Sequence, residues 1–135
     1  MQNDTAGPPP SDPAAPEPEP PPVAVARMRD TARRVLALGG APPLREELEP
    51  LTDGLHQYVR LLVPEVRALI RARPADDPPS RVAQVGVEEA WRRLHTAPGF
   101  GPDAAYRHAC RLARSVLALC DHYETLNPPI ASEIR

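Results

Sequence analysis

Residues 105–126 read AYRHACRLARSVLALCDHYETL, and this stretch decides the fold class. Its apolar side chains recur at alternating spacings of three and four: Ala105, Ala109, Leu112, Val116, Leu119, Tyr123 and Leu126. This spacing aligns the side chains in one stripe along a helix. Pro102 and Asp103 suit the first turn of that helix, and Asn127-Pro128-Pro129 ends it. We predict a long helix whose stripe packs against other helices.

A second stripe of the same kind precedes it. It comprises Leu44, Leu48, Leu51, Leu55, Val59, Leu62, Val66 and Leu69. Pro50 can begin a new helical segment at its first turn. Pro64 lies inside the pattern, where it removes a backbone donor. We expect a kink near residues 60–64 and not a break, because the stripe keeps its phase. Pro74 ends this helix after Arg73.

Two shorter helices complete the pattern. The first runs from about Val23 to Leu38 and is stopped by Gly39-Gly40. The other runs to about His95, with Asp77 as its N-cap and Pro78 in its first turn, or with Ser80 as the alternative cap. Because the connections are short and no stretch resembles a strand, the fold class is all-α, an up-down bundle of about four helices.

The bundle domain covers residues 23–126 and is flanked by two tails. Residues 1–22 hold nine of the 20 prolines and four acidic residues. This segment cannot bury enough apolar surface to offset the entropy of ordering a chain, so we expect a disordered tail. Residues 127–135 form a short C-terminal tail.

Charge and hydropathy exclude several functions. The chain has a formal net charge of −2, of which the N-terminal tail contributes −4, so the rest carries +2. This is too little for the positive field of a dedicated nucleic-acid-binding protein. No apolar run approaches the ~20 residues that span a bilayer, and no signal peptide is evident. We expect a cytoplasmic protein that does not enter a membrane, with its two cysteines as free thiols.

The sequence offers no metal site. His108, Cys110, Cys120 and His122 lie on one predicted helix, on which the two cysteines are ~15 Å apart. That distance excludes a shared zinc and an intrachain disulfide. We expect the cysteines to be small buried side chains and the histidines to be partly exposed.

No catalytic site is evident either. Ser80 and Ser115 lie in no nucleophile motif, and no inward-facing Glu-x-x-His pair occurs. The glycines at 99–101 are too few for a phosphate-binding loop. We therefore expect a protein without catalytic residues, metal or cofactor.

Four residues are candidates for binding a partner. Arg107, Arg111 and Arg114 fall on one face of the last helix, away from its apolar stripe. They form either a solvated face or a docking surface for an acidic partner. Trp91, the only tryptophan, is either an anchor at the core edge or an interface hot spot. Three residues of the second helix leave the same alternatives open: His56, Tyr58 and Arg60.

Four segments of the chain resemble a known family. They are Leu61–Leu69, Asp76–Pro79, Glu89–Leu94 and Ala113–Tyr123. In this order they resemble a family of short actinobacterial proteins of unknown function, over roughly residues 44–126. Members are sometimes labelled as associated with natural-product biosynthesis. The resemblance implies no catalytic residues.

These observations favour a non-catalytic helical protein-interaction module, with an accessory or regulatory role linked to specialised metabolism. One alternative is a partner of a transcriptional regulator. Another is a small-molecule-binding bundle or cryptic enzyme, which an apolar cavity lined by His56, Tyr58 or Tyr123 would favour. A protein partner is expected, and a homodimer is compatible with the sequence.

Overall fold

The computed structural model describes residues 20–39 and 43–127, which form four α-helices. The helices are α1 (Pro20–Leu36), α2 (Arg45–Arg71), α3 (Pro78–Leu94) and α4 (Gly101–Leu126). The described part of the chain contains no strand. The predicted all-α bundle of four helices is therefore confirmed. Residues 1–19 of the predicted disordered tail (1–22) and most of the C-terminal tail lie outside the described residues, whereas residues 20–22 belong to α1, so the predicted tail is wrong for these three.

Three contacts to α4 define the topology. The Tyr106 hydroxyl near the start of α4 donates to the carbonyl of Val35 at the end of α1, 3.1 Å away. Arg73, just after α2, donates to the Leu126 carbonyl at the end of α4. Arg93 at the end of α3 donates to Ser115 in the middle of α4. The helices alternate in direction, so α4 is antiparallel to α1 and α3 and parallel to α2.

The helix α4 packs against all three of the others. Its predicted stripe is buried from Ala109 to Leu126, and Ala105 at its start is half-buried. Burial extends beyond the stripe to further side chains: Ala104, His108, Ala113, Ser115 and Cys120. The expectation that the histidines are partly exposed is wrong for His108, because α4 has three packed sides and not one.

The helix ends follow their local sequence. The Asp77 carboxylate accepts a hydrogen bond from the Ser80 backbone N–H, which confirms Asp77 as the N-cap of α3. Both Pro50 and Pro64 lie inside α2, which continues unbroken through them. The helix α1 begins at Pro20, about three residues earlier than predicted. This start is compatible with proline, because the first-turn N–H groups of a helix have no helical partner.

Most of the α2 stripe is buried, from Leu48 to Val66. The prediction that Leu44 belongs to the buried stripe is wrong, because this residue lies before the first turn of α2 and is 67% exposed. Cys120 is buried as predicted, whereas Cys110 is only half-buried. Over the described residues, no helix combines the length and the apolar character that a membrane span requires.

Candidate functional site

A cavity of about 570 Å³ lies between the N-terminal halves of α2 and α4 and the loop before α4. Its volume falls in the range of small-molecule binding sites, about 300–1,000 Å³. The side of α2 contributes Arg45, Leu48, Glu49, Thr52 and Asp53, with Pro43 just before it. The opposite side contributes Pro98, Gly99, Gly101, Pro102, Ala105 and His108.

The loop sequence explains why this space stays open. Gly99 and Gly101 have φ angles of 91° and 88°, a conformation that glycine adopts without a Cβ clash. A Cβ placed on Gly101 would meet no atom within 4 Å. Phe100, between the two glycines, is the only phenylalanine, and its side chain is fully exposed. The one side chain of this loop large enough to fill the cavity therefore points away from the protein.

Two histidines are packed together on the inner side of the cavity, and one of them, His108, lines it. His108 of α4 lines the cavity and is only 5% exposed. Its ring packs edge-on against the ring of His56 of α2, with 5.6 Å between the ring centroids. The Nε2 atom of His56 is buried without a hydrogen-bond partner in the described structure. His108 likewise makes no hydrogen bond to any residue that the structure describes. The buried Nε2 atom of His56, unpartnered among the described residues, is a rare feature, because a buried polar atom without a hydrogen bond costs desolvation energy.

Burial also sets the charge of these histidines. It lowers the pKa of His108 below its ordinary value of 6.5, and the neighbouring His56 and Arg111 lower the pKa further. Burial is also the main cause that lowers the pKa of His56, with Arg60 adding to the effect and Asp53 opposing it. Both imidazoles are therefore neutral at pH 7, and each presents one donor and one acceptor nitrogen.

Three charged residues of α2 line the cavity. The guanidinium Nε of Arg45 donates to the Glu49 carboxylate over 2.6 Å, so these two charges compensate each other. Asp53 forms no ion pair or hydrogen bond with the rest of the described chain. Thr52 turns its hydroxyl back onto its own helix, where it donates to the Leu48 carbonyl. The uncompensated charge at the cavity is therefore the carboxylate of Asp53.

The predicted arginine face is present on α4. Arg107, Arg111 and Arg114 are all exposed, and none forms an ion pair with another described residue. The backbone carbonyl of Arg111 accepts a hydrogen bond from Arg93, which pins α3 to this part of α4. The three guanidinium groups therefore lie on one exposed surface of α4, next to the hydrogen bond that joins α3 to α4.

Trp91 lies apart from these arginines. Its ring is 44% exposed and lies under the guanidinium of Arg67 of α2, whose central carbon is 5.4 Å from the ring centroid. The ring of His95 packs on it at 4.4 Å. Trp91 therefore packs at the contact between α2 and α3, whereas the arginine face belongs to α4. The four sequence-predicted residues do not form one site.

The cavity is not lined by the residues that the sequence suggested for one. Neither Tyr58, which is half-buried, nor Tyr123, which is buried in the core, lines it, and His56 lies behind His108. In the described residues, no three side chains of the metal-binding types come together to hold an ion. The signal that could have indicated the cavity is the run of small and proline residues at 97–105, opposite a polar turn of α2.

Comparison with known proteins gives a family and no function. No curated protein and no solved structure matches the chain. A family model matches residues 26–128, which cover all of α2, α3 and α4 and most of α1. This match includes every residue that lines the cavity and the whole arginine face. The chain belongs to a family of unknown function, DUF6415.

Proposed function

We propose that this protein is a small-molecule-binding helical bundle, with its binding site in the cavity between α2 and α4. The observation that carries the proposal is His108, a buried polar side chain that lines the cavity and has no hydrogen-bond partner among the described residues. A bound molecule that bonds to this imidazole would supply the hydrogen-bond partner that the described chain does not provide. The mostly apolar wall would bury the remainder of such a molecule.

The test is to fill the cavity. Ala105 lines it and is half-buried, so Ala105→Phe would place a ring in the space that the ligand occupies. The matched control is Ala118→Phe, which changes an equally half-buried alanine of α4 outside the cavity wall. The probe is 1-naphthalenemethanol, a neutral aromatic alcohol, followed by amide chemical shifts in NMR titrations.

The expected result is saturable binding with shifts at Leu48, Thr52 and His108. Ala105→Phe should abolish these shifts, and Ala118→Phe should retain them. Circular dichroism establishes that both variants are folded. The proposal is wrong if neutral, cationic and anionic aromatic probes all fail to saturate the protein, or if Ala105→Phe binds them unchanged.

A second candidate function is protein docking through the arginine face. The supporting observation is that Arg107, Arg111 and Arg114 are exposed and free of ion pairs within the described chain. Charge complementarity of this kind steers the encounter with an acidic partner. A link to specialised metabolism rests on the family resemblance, and capture from the native host followed by mass spectrometry would identify the partner.

A further inference from the structure

We infer that the cavity selects a small apolar molecule carrying a protonated amine, which binds with its ammonium group at Asp53 and its hydrogen-bond donors toward His108. This inference rests on the proposed function and names the class of ligand. Its basis is the balance of charge and of hydrogen-bonding groups around the cavity.

The charge balance of the wall is negative. Arg45 is compensated by Glu49, as its 2.6 Å ion pair shows. Asp53 forms no ion pair or hydrogen bond with another described residue. The two histidines contribute no positive charge near pH 7, because burial disfavours their protonated forms. A cationic ligand thus gains an attraction that a neutral one lacks, and an anionic ligand is opposed.

The N-termini of two helices favour an anionic ligand, which is the opposite of the preference expected from Asp53. The N-termini of α2 and α4 both lie near the cavity, and a helix N-terminus attracts anions. Each first turn already holds acidic residues, however: Glu46 and Glu47 in α2, and Asp103 in α4. Glu47 accepts a hydrogen bond from the Leu44 backbone N–H at the start of α2. Acidic residues therefore already complement the positive ends of both helices. The carboxylate of Asp53 then determines that the cavity favours a cationic ligand.

The hydrogen-bonding groups agree with this choice. A carboxylate only accepts hydrogen bonds, and a neutral imidazole has one nitrogen that accepts. Asp53 and His108 line the same cavity, and His108 is more than nine-tenths buried without a partner in the described structure. An ammonium group has three donors and no acceptor, so it matches the acceptors that both residues present to the cavity. The apolar wall from Leu48, Pro98, Pro102 and Ala105 then covers the remainder of the ligand.

The experiment compares three probes of one shape. These are 1-naphthylmethylamine, 1-naphthalenemethanol and 1-naphthoate, titrated into the full chain by calorimetry at pH 7. We expect the amine to bind about five- to tenfold more tightly than the alcohol, which is the range for a charged hydrogen bond at a partly exposed site. The carboxylate should bind most weakly. Raising the salt concentration should narrow the gap between amine and alcohol.

Two variants separate the charge of Asp53 from the charge of the whole protein. Asp53→Asn should remove the preference for the amine over the alcohol. Asp76→Asn makes the same substitution at an exposed aspartate of the α2–α3 loop, at the other end of the bundle, and should retain the preference. Both positions are exposed, so both variants should fold.

The outcomes distinguish this inference from the proposed function. If the alcohol binds as tightly as the amine, or if Asp53→Asn leaves the preference intact, the ligand class is wrong while the cavity remains a binding site. If the carboxylate binds best, the helix N-termini outweigh Asp53 and the inference is overturned in the same way. If none of the three probes binds saturably, the proposed function itself fails.

Discussion

The two ends of the bundle differ in whether their polar side chains have partners within the protein. At the end formed by Arg73, Asp77, Ser80 and Leu126, which we call the Asp77 end, the groups satisfy one another. One oxygen of Asp77 accepts from Arg73 at 2.7 Å and from both the backbone and the hydroxyl of Ser80. Arg73 also donates to the Leu126 carbonyl and so joins the ends of α2 and α4.

At the cavity end, which comprises the cavity wall and His56, Arg45 and Glu49 pair with each other, but three further polar side chains lack such partners in the described structure. His108 and the Nε2 atom of His56 are buried without hydrogen bonds, and Asp53 has no ion pair. A satisfied polar cluster fixes the fold, whereas an unsatisfied one costs stability and is retained where a ligand completes it. The Asp77 end therefore contributes to the stability of the fold, whereas the cavity end is the part to which our proposal assigns ligand binding.

The largest expected effect lies in the core that both ends share. Leu112 is fully buried on α4, so Leu112→Ala should leave a void and cost ~2–5 kcal/mol. That is a large part of the ~5–15 kcal/mol expected for a domain. Leu61→Ala, at an exposed leucine of α2, is the control and should change stability little. Urea denaturation measures both. A silent Leu112→Ala would show that the α4 stripe is not the core.

A smaller loss is expected at the Asp77 end. Asp77→Ala removes the cap of α3 and the partner of Arg73, and should lower the melting temperature by about 4–8 °C. Asp77→Asn keeps a good N-cap residue but loses the charge, so it should recover most of this loss if the cap dominates. The neighbouring exposed Asp76 provides the control, as Asp76→Ala. An Asp77→Ala variant that melts like Asp76→Ala would contradict the assigned role of this end.

Lowering the pH should weaken the protein through its histidines. The pKa values of His56, His108 and His122 are all lowered in the fold, mainly by burial, from an ordinary value of 6.5. Below about pH 6.5 the unfolded chain binds more protons than the folded one, so stability falls as the pH drops through that value. The urea midpoint should therefore be lower at pH 5.5 than at pH 7.5.

Two variants assign this pH dependence. His108→Leu should remove part of it, because one titrating group is lost. Asp77→Asn should leave it unchanged. The pKa of Asp77 is lowered by Arg73 and Ser80 from 3.8, so the stability it contributes is lost only as the pH falls below that value. A midpoint that is equal at both pH values would show that the histidines are protonated in the fold or titrate normally.

The sequence predicted the fold more completely than the site. The four helices follow from apolar spacing, and the cap of α3 from Asp77-Pro78, because these are local signals. The prediction of a single apolar stripe on α4 underestimated how much of this helix is buried. Contact with three helices is a property of the assembled bundle, so the burial of His108 and Ser115 could not be derived from one helix.

The cavity could not be predicted for the same reason. Its walls come from two helices about 50 residues apart and from a loop, and their alignment depends on the parallel packing of α2 and α4. In the sequence His56 lies close to Tyr58, whereas in the structure its ring packs against His108, which is 52 residues away in the chain. The arginine face, in contrast, is local to one helix, and its exposure was predicted correctly.

The two ends should differ in sign when a buried polar group is replaced. Ser80→Ala removes one hydrogen-bonded hydroxyl at the Asp77 end and should lower stability by about 1 kcal/mol. His108→Leu removes an unpaired imidazole and should leave stability unchanged or raise it by up to about 1 kcal/mol. The same His108→Leu variant should lose ligand binding. A loss of stability larger than that of Ser80→Ala would mean that His108 is structural.

The smallest effect on stability is expected at the arginine face, which lies outside both ends. Charge reversal there tests whether this face binds a partner. Arg111→Glu with Arg114→Glu reverses two exposed charges that have no ion pair among the described residues, so the melting temperature should barely move. Capture of an acidic partner through the arginine face should nevertheless be lost, since like charges would then oppose each other. Arg81→Glu with Arg92→Glu makes the same change in charge on the exposed side of α3 and should retain that capture. Binding of the neutral probe 1-naphthalenemethanol should be equal in all of these proteins, because none of the four arginines lines the cavity. If both double variants capture the partner, the arginine face is only a solvated surface, and the cavity end alone carries the function.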